Sequence, residues 1–79
     1  MAAPAADAVL NGEGLICGTL EPAMRAELRP LASGQVLEVC ADDPAARLGV
    51  PAWCRLAGHT LMTAVEEDDR RTRFFLRKR

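Results

Sequence analysis

The chain has 79 residues, with ten basic and eleven acidic side chains, so its formal net charge is −1 at pH 7. A chain of this length forms one domain with a thin core, which leaves no room for a deep, enclosed substrate cavity. The balanced charge argues against nucleic-acid binding by the whole surface. No apolar run is long enough to cross a bilayer, and we expect no membrane association.

The three cysteines of the chain are Cys17, Cys40 and Cys54. They are widely spaced, form no C-x-x-C pair and are accompanied by a single histidine, so the pattern predicts neither a disulfide framework nor a zinc site. We expect no metal and no organic cofactor. The first residues lack the basic start and apolar core of a secretory signal, which makes the reducing cytoplasm the expected location.

The first residues, 1–7, are rich in alanine and proline, and we predict a flexible tail ahead of a single domain at 8–79. Ala8-Val9-Leu10 is predicted to be a short strand. The next four residues, Asn11-Gly12-Glu13-Gly14, favour a turn because glycine adopts backbone angles that other residues avoid.

The first helix is predicted from its cap and its periodicity. Thr19 is the expected N-cap, and Pro22 then lies in the first turn, where its missing N–H would have no partner anyway. Pro30 is expected to loosen the last turn, and Ser33-Gly34 to end the helix. One apolar stripe follows steps of four, four and three residues: Leu20, Met24, Leu28 and Leu31.

A strand and a second helix come next. Residues 35–41 are the clearest strand, because they are rich in β-branched side chains and lie between turn residues. Asp42-Asp43-Pro44 opens a helical turn with Asp43 as its N-cap. We expect Gly49-Val50-Pro51 to interrupt that turn, and a helix to restart there and stop at Gly58. Its buried stripe is predicted to comprise Val50, Trp53 and Leu56 or Ala57.

The last third of the chain predicts a hairpin of two strands, 59–66 and 72–78, joined by a charged turn without glycine. The element order is therefore β-α-β-α-β-β. Right-handed crossovers place both helices on one face of a four-stranded mixed sheet, which is an α/β two-layer sandwich.

Cys17 is the strongest candidate for chemistry. A thiol beside a helix N-terminus lies where backbone N–H groups and the helix dipole favour the thiolate. The alternative is an inert small hydrophobe, which is the expected role of Cys40 in its strand and Cys54 beside Trp53. His59 is expected to be a strand-start residue with a backbone partner, with a catalytic base as the alternative.

Several strings, taken in order, resemble the TusA/SirA-like family of small sulfur-carrier proteins. Together they span almost the whole chain, from Leu10 to Lys78. The matching strings are Leu10-x-x-x-Gly14-Leu15-x-Cys17, Gly34 with the strand Val36 to Val39, Asp42-Asp43-Pro44, Val50-Pro51-Ala52-Trp53-Cys54, Gly58-His59-x-Leu61 and Arg73-Phe74-Phe75-Leu76-Arg77-Lys78.

The resemblance implies two helices on a four-stranded sheet, and a sulfur carrier or sulfurtransferase. Cys17 would accept sulfane sulfur as a persulfide from a cysteine desulfurase or a rhodanese-like donor, and would then pass it to a downstream relay protein. In some members the route ends in tRNA thiolation, and in others in sulfur oxidation or cofactor synthesis. Direct contact with tRNA is not expected.

The chain departs from the family's Cys-Pro-x-Pro motif, because Cys17 is followed by Gly18, Thr19 and Leu20. Gly18 keeps an N–H that proline lacks, and this donor could bind a thiolate or persulfide anion. Thr19 could start the helix in place of the prolines. We therefore expect both residues to support Cys17.

Two other pairs of residues are expected near the reaction. Asp42 and Asp43 most simply cap a helix, with a supporting role beside Cys17 as the alternative. Arg25 and Arg29, on the exposed side of the first helix, are candidates for docking an acidic partner, and the alternative is a solvated helix face.

Two other functions remain open from the sequence. One is a non-catalytic interaction or regulatory module that keeps the fold without the relay. The other is an RNA-contacting module that uses the basic residues of the last strand, Arg73, Arg77 and Arg79. A charge-protected strand edge explains those residues equally well.

Overall fold

The computed structural model describes residues 4–79 and contains four strands and two helices. Their bounds are β1 (Ala8–Gly12), α1 (Cys17–Leu28), β2 (Val36–Ala41), α2 (Ala46–Ala57), β3 (Thr60–Glu66) and β4 (Thr72–Arg77). The sheet order is β1-β2-β4-β3, with β1 and β2 parallel and the other neighbours antiparallel. The predicted β-α-β-α-β-β order and the α/β sandwich are confirmed.

Both helices pack on the same face of the sheet. Leu37, Val39 and Ala41 alternate along β2 and share one buried cluster with residues of α1 and α2. Burial of each large apolar side chain stabilises the fold by about 1.5–3 kcal/mol. Each helix has 12 residues, and no helix in the described part of the chain is long and apolar enough to span a membrane.

The apolar stripe of α1 is confirmed for Leu20, Met24 and Leu28, whereas Leu31 follows the end of the helix and is partly buried. The helix begins earlier than predicted. Leu20 and Met24 are completely buried. The N-cap is Ile16, whose carbonyl accepts hydrogen bonds from the N–H groups of Thr19 at 3.0 Å and Leu20 at 2.8 Å. Thr19 as N-cap was wrong, because the turn that delivers Leu20 to the core must start before it. The Thr19 hydroxyl donates to the Ile16 carbonyl at 3.0 Å instead.

The new start places Pro22 in the second turn of α1, not the first. Since proline has no N–H, the carbonyl of Gly18 lacks the donor that a helix normally provides four residues later. At its other end the helix stops at Leu28, before the predicted Ser33-Gly34, because Pro30 cannot continue the hydrogen-bond ladder.

The predicted interruption of the second helix was wrong. α2 runs unbroken from Ala46 to Ala57 with Pro51 inside it, and Gly58 in the left-handed conformation ends it as predicted. In one continuous helix, residues 46, 50, 53, 54 and 57 share a face. Leu56 therefore points away and is 87% exposed. Of the two predicted alternatives, Ala57 is the one that packs against the core.

Asp43 caps the turn before α2 and not α2 itself, whose N-cap is Ala45. One carboxylate oxygen of Asp43 accepts from the N–H of Ala45 at 3.0 Å, and its carbonyl accepts from the N–H of Ala46 at 2.9 Å. A short turn thus precedes α2, which explains why the helix begins two residues after Pro44.

The β3–β4 turn closes without glycine because Asp68 provides the hydrogen bonds. Its Oδ1 accepts from the N–H groups of Arg70 at 2.9 Å and Arg71 at 2.8 Å, and its Oδ2 pairs with Arg71 Nε at 3.0 Å. These bonds lower the pKa of Asp68 to about 2. Arg47 of α2 donates to the carbonyls of Asp68 and Asp69, both at 3.0 Å, and so ties the turn to the helix layer.

The predicted tail, 1–7, is only partly covered, because residues 1–3 lie outside the described residues. Asp7 is bound to the start of β2. Its N–H donates to the Val36 carbonyl and its carboxylate accepts from the Val36 N–H, both at 2.8 Å. The described chain is therefore anchored one residue before β1.

Gly12 is predicted to tolerate no side chain. A Cβ there would lie 2.7 Å from the Cys40 carbonyl oxygen and 2.8 Å from Leu20 Cδ1, so the backbone or the core must move. We expect Gly12→Ala to lower the free energy of unfolding by about 1–3 kcal/mol.

The matched control is Gly18→Ala, since a Cβ at Gly18 meets no atom within 4 Å. It is expected to stabilise the protein by up to about 1 kcal/mol, because alanine favours a helix over glycine. Urea unfolding measures both variants, and equal stabilities of the two would contradict the close contact at Gly12.

Candidate functional site

The loop before Cys17 and two other loops lie side by side at one end of the sheet. Gly12, Ala41, Thr72 and Glu66 form one row across the four strands. Since β1 and β2 are parallel, the loops that lead into α1 and α2 leave the sheet at this same row. We call this end the cysteine end. It comprises loops 13–16, 42–45 and 67–71, the two strand residues next to each loop, and the first turns of α1 and α2.

The loop before Cys17 is held by hydrogen bonds. The Leu15 N–H donates to the Gly12 carbonyl at 3.0 Å, and the Glu13 N–H donates to Asn11 Oδ1 at 3.1 Å. Gly14 has a φ of 81°, a conformation that glycine adopts without strain. Its N–H donates to Asp42 Oδ1 at 2.9 Å, which joins the loop before α1 to the loop before α2.

The two aspartates singled out from the sequence thus occupy different positions. Asp42 contacts the loop that leads to Cys17 through Gly14. Asp43 bonds within its own loop, to Ala45. Asp42 is therefore the one of the two that is hydrogen-bonded to the loop before Cys17.

Cys17 is the first residue of α1 and has exposed neighbours. Ile16 is 65% exposed, and Gly18 and Thr19 are exposed, whereas Leu20 is buried. The first N–H groups of a helix have no acceptor within it, and the helix dipole places about half a positive charge there. The backbone of the first turn is thus arranged to favour an anion at the surface.

The cysteine end carries more negative than positive side chains. Its seven carboxylates exceed its four arginines by three charges. The acidic residues are Glu13, Asp42, Asp43, Glu66, Glu67, Asp68 and Asp69, and the basic residues are Arg47, Arg70, Arg71 and Arg73. Several are paired, including Arg47 with Glu66 at 3.5 Å.

Arg25 and Arg29 lie elsewhere, in an open groove of about 450 Å³ at the C-terminal ends of both helices. Lys78 and Arg79 join them there. We call this feature the basic groove. At 1.5 Å per residue, Arg25 and Arg29 are about 12 and 18 Å along α1 from Cys17. The structure therefore separates the predicted docking arginines from the cysteine end.

His59 belongs to the basic groove, at the opposite end of the sheet from Cys17. Its Nδ1 accepts from the Arg79 N–H at 3.3 Å, which confirms a backbone partner. Its ring centroid is 5.5 Å from that of Trp53. Burial lowers the pKa of His59, and the charges of Arg79 and Lys78 lower it further. Its position gives no support to a role as base for Cys17.

The two other thiols differ in position. Cys54 is buried, as predicted, and burial raises its pKa to about 11. Cys40 is only partly buried, since it points to the sheet face opposite the helices while Val39 and Ala41 point to the core. Burial raises the pKa of Cys40, and so does Glu38, whose Oε2 is 3.6 Å from its Sγ.

The basic residues of the last strand form no continuous stripe. Arg73 pairs with Glu67 at 2.9 Å and Glu38 at 3.8 Å on the open sheet face. Arg77 is exposed, whereas Arg79 lines the basic groove. These residues are close along the chain, but the fold separates them and brings Trp53, Leu56 and Lys78 into the groove beside Arg79, a grouping that their spacing does not predict.

Fold and site together define a small α/β domain that carries a cysteine at the start of its first helix. The sequence profile described as "Sulfurtransferase TusA" matches residues 9–78. The chain therefore belongs to the TusA family of sulfur carriers.

Curated relatives agree with this assignment, and each of the following is named "Sulfur carrier protein TusA". The protein of Pseudomonas putida (strain W619) is 38% identical over 61 residues, which cover 77% of this chain and 76% of the relative. That of Pseudomonas entomophila (strain L48) is 39% identical over the same shares. That of Pseudomonas aeruginosa (strain LESB58) is 38% identical, with 77% of each chain covered.

Removal of the Asp42 carboxylate is predicted to loosen the loop before Cys17. Asp42→Ala eliminates the acceptor for the Gly14 N–H, and we expect a loss of about 1 kcal/mol in unfolding free energy. Amide hydrogen exchange at Gly14 should become faster. Asp42→Asn keeps Oδ1 and should retain protection, as should Asp43→Ala. If hydrogen exchange at the Gly14 amide stays slow in Asp42→Ala, the hydrogen bond between Gly14 and Asp42 does not hold the loop.

Cys54 is predicted to resist alkylation by iodoacetamide at pH 8 as long as the protein is folded. With its pKa near 11, Cys54 is a thiolate in about one molecule in a thousand at that pH, and it is buried as well. Cys54 should therefore stay unmodified in the folded protein and react after unfolding in guanidinium. Peptide mass spectrometry measures the modification, and equal rates for folded and unfolded protein would contradict the burial of Cys54.

Proposed function

We propose that Cys17 carries sulfane sulfur as a persulfide between a donor protein and an acceptor protein in the reducing cytoplasm. The observation that supports this most directly is that Cys17 is the first residue of α1 in a chain that matches the TusA family over residues 9–78. The domain at 8–79 acts as one unit, and the reaction needs no metal or organic cofactor.

The transfer consists of two thiol exchanges. The Cys17 thiolate attacks the outer sulfur of the donor's persulfide, the donor's S–S bond breaks, and the donor leaves as a thiolate. The product is Cys17-S-SH. An acceptor thiolate then attacks that outer sulfur and releases the Cys17 thiolate. No external oxidant or reductant is consumed, because one S–S bond forms as another breaks.

The first turn of α1 supports this chemistry through its backbone. The helix dipole stabilises the thiolate that attacks and the persulfide anion that forms. Gly18 supplies an N–H in place of the family's proline, and this donor is suited to bind the sulfur anion. Thr19 acts indirectly, because its hydroxyl already donates to the Ile16 carbonyl. Asp42 positions the loop through Gly14.

The partners are proteins. The donor is a cysteine desulfurase or a rhodanese-like sulfurtransferase, and the acceptor is a downstream relay protein on a route such as tRNA thiolation. Arg25 and Arg29 contribute to docking, and Cys17, the first residue of α1, contributes the reacting atom. Specificity comes from the surface that a partner meets.

Replacement of Cys17 tests the proposal. The protein is incubated with a cysteine desulfurase and cysteine, and its intact mass is measured. The wild type should gain the mass of one sulfur atom, which dithiothreitol removes, and Cys17→Ser should gain none. Cys40→Ser and Cys54→Ala are the matched controls and should gain sulfur as the wild type does.

Two results would overturn the relay. One is no added sulfur on the wild type, which leaves an interaction module that has kept the fold without the chemistry. The other is equal addition to Cys17→Ser, which would assign the sulfur to Cys40 or Cys54. Circular dichroism of each variant shows that the fold is retained.

A further inference from the structure

We propose that the basic groove docks an acidic protein segment bearing an apolar side chain, and that it does so while the first turn of α1 stays open. The proposal deepens the proposed function, on which it rests only for the identity of the segment's owner, a sulfur donor or acceptor. Binding at the groove is a property of its own and is measured without sulfur transfer.

The positive charge of the groove is not neutralised by carboxylates. Arg25, Arg29, Lys78 and Arg79 line it. In the described part of the chain, the ion pairs between side chains engage Arg47, Arg71 and Arg73, all at the cysteine end or on the open sheet face. The groove therefore presents four cations to an incoming ligand.

The negative C-terminal ends of the two helices offset only part of the positive charge of the groove. Lys78 Nζ donates to the Arg29 carbonyl at 3.1 Å, at the C-terminal end of α1. Each helix C-terminus carries about half a negative charge, so α1 and α2 together offset roughly one of the four cations. Two of the four cations also act on His59, whose pKa is lowered by burial first and then by the charges of Arg79 and Lys78.

The groove also offers apolar contact. Leu28 and Trp53 are 2% and 4% exposed and form its floor, whereas Leu56 beside them is 87% exposed. An exposed leucine next to cations suits a protein segment that combines carboxylates with an apolar side chain. RNA is the weaker fit, because Trp53 is too buried for base stacking and Leu56 offers nothing to a phosphate.

The groove is formed before any ligand binds. Gly58 allows the Arg79 side chain to lie close, since a Cβ at Gly58 would be 3.1 Å from Arg79 Cδ. The Arg79 N–H is bound to His59 Nδ1. Because Arg25 and Arg29 are about 12 and 18 Å along α1 from its first residue, an occupant of the groove lies away from the first turn of α1.

The experiment uses a synthetic peptide in which Asp and Glu alternate with Leu, blocked at both ends, and the fluorescence of Trp53, the only tryptophan. We expect saturable binding that weakens as salt is raised. Arg25→Gln with Arg29→Gln should weaken binding about tenfold or more. Arg55→Gln with Arg70→Gln removes the same charge outside the groove and should change it less than about twofold.

The apolar contact in the groove is tested with its own matched pair of variants. Leu56→Ala should weaken binding about threefold or more. Leu48 is 82% exposed on the same helix but lies outside the groove, so Leu48→Ala should leave binding unchanged. A peptide with Ala in place of Leu should bind the wild type more weakly. If Leu56→Ala and the Ala peptide both bind as tightly as the originals, the apolar contact is refuted.

His59 gives a readout inside the groove. It is the only histidine, and it faces Trp53 of α2 as well as Lys78 and Arg79 after β4. Carboxylates of a bound peptide favour the imidazolium, so the imidazole resonances should titrate at a higher pH when the peptide is present. An unchanged titration during binding would place the peptide elsewhere and overturn the proposal.

The outcomes separate this proposal from the sulfur relay. An oligouridylate that binds tighter than the peptide, with loss in the Arg25 and Arg29 variant, would assign the groove to RNA and overturn it. Peptide binding without sulfur uptake refutes the relay but not the groove. Sulfur uptake on Cys17 without peptide binding refutes the groove but not the relay.

Discussion

The contact between Leu20 and Gly12 determines where α1 begins, and the position of Cys17 follows from it. Leu20 is completely buried, and its Cδ1 occupies the space in which any side chain at residue 12 would lie. Leu20 lies three positions after Cys17, which is less than one turn of helix. The buried leucine therefore holds the first turn against the end of β1, although its preceding residues, Ile16, Gly18 and Thr19, are exposed. The start of the helix is thus fixed by a contact in the core.

Periodicity and turn residues predicted the fold well, and local hydrogen bonding was harder to foresee. The stripe of Leu20, Met24 and Leu28 and the stop at Gly58 were confirmed, since each depends on a short segment. The start of α1 and the continuity of α2 were missed, because proline in a sequence favours a helix boundary whereas packing of Val50 and Trp53 keeps α2 intact around Pro51. The hydrogen bond from the Gly14 N–H to Asp42 spans 28 residues. The sequence therefore predicted only that Asp42 could lie near Cys17, and not which group it binds. The basic groove joins residues from α1, α2 and the end of the chain, and no local pattern contains it.

The two ends of the molecule are built differently within one thin domain. Loops at the cysteine end are organised by backbone and carboxylate hydrogen bonds, and its Arg47, Arg71 and Arg73 are engaged by carboxylates or carbonyls. The groove end has cations grouped around Trp53 and Leu56. α1 connects them, because Cys17 begins it and Arg29 caps its end. The first turn of α1 and the basic groove are therefore held at a fixed separation by the length of a single helix.

The same separation makes the molecule a permanent electric dipole. Three excess negative charges lie at one end and the arginines and lysine of the groove lie at the other, while the net charge of the whole is only −1. Such a molecule is drawn weakly towards a charged surface as a whole, but it experiences a torque once it comes within about 8 Å, the screening distance at physiological ionic strength. An acidic surface turns the groove towards itself and a basic surface turns the cysteine end. The sign of a partner's charge thereby selects which end arrives first, without any change in conformation.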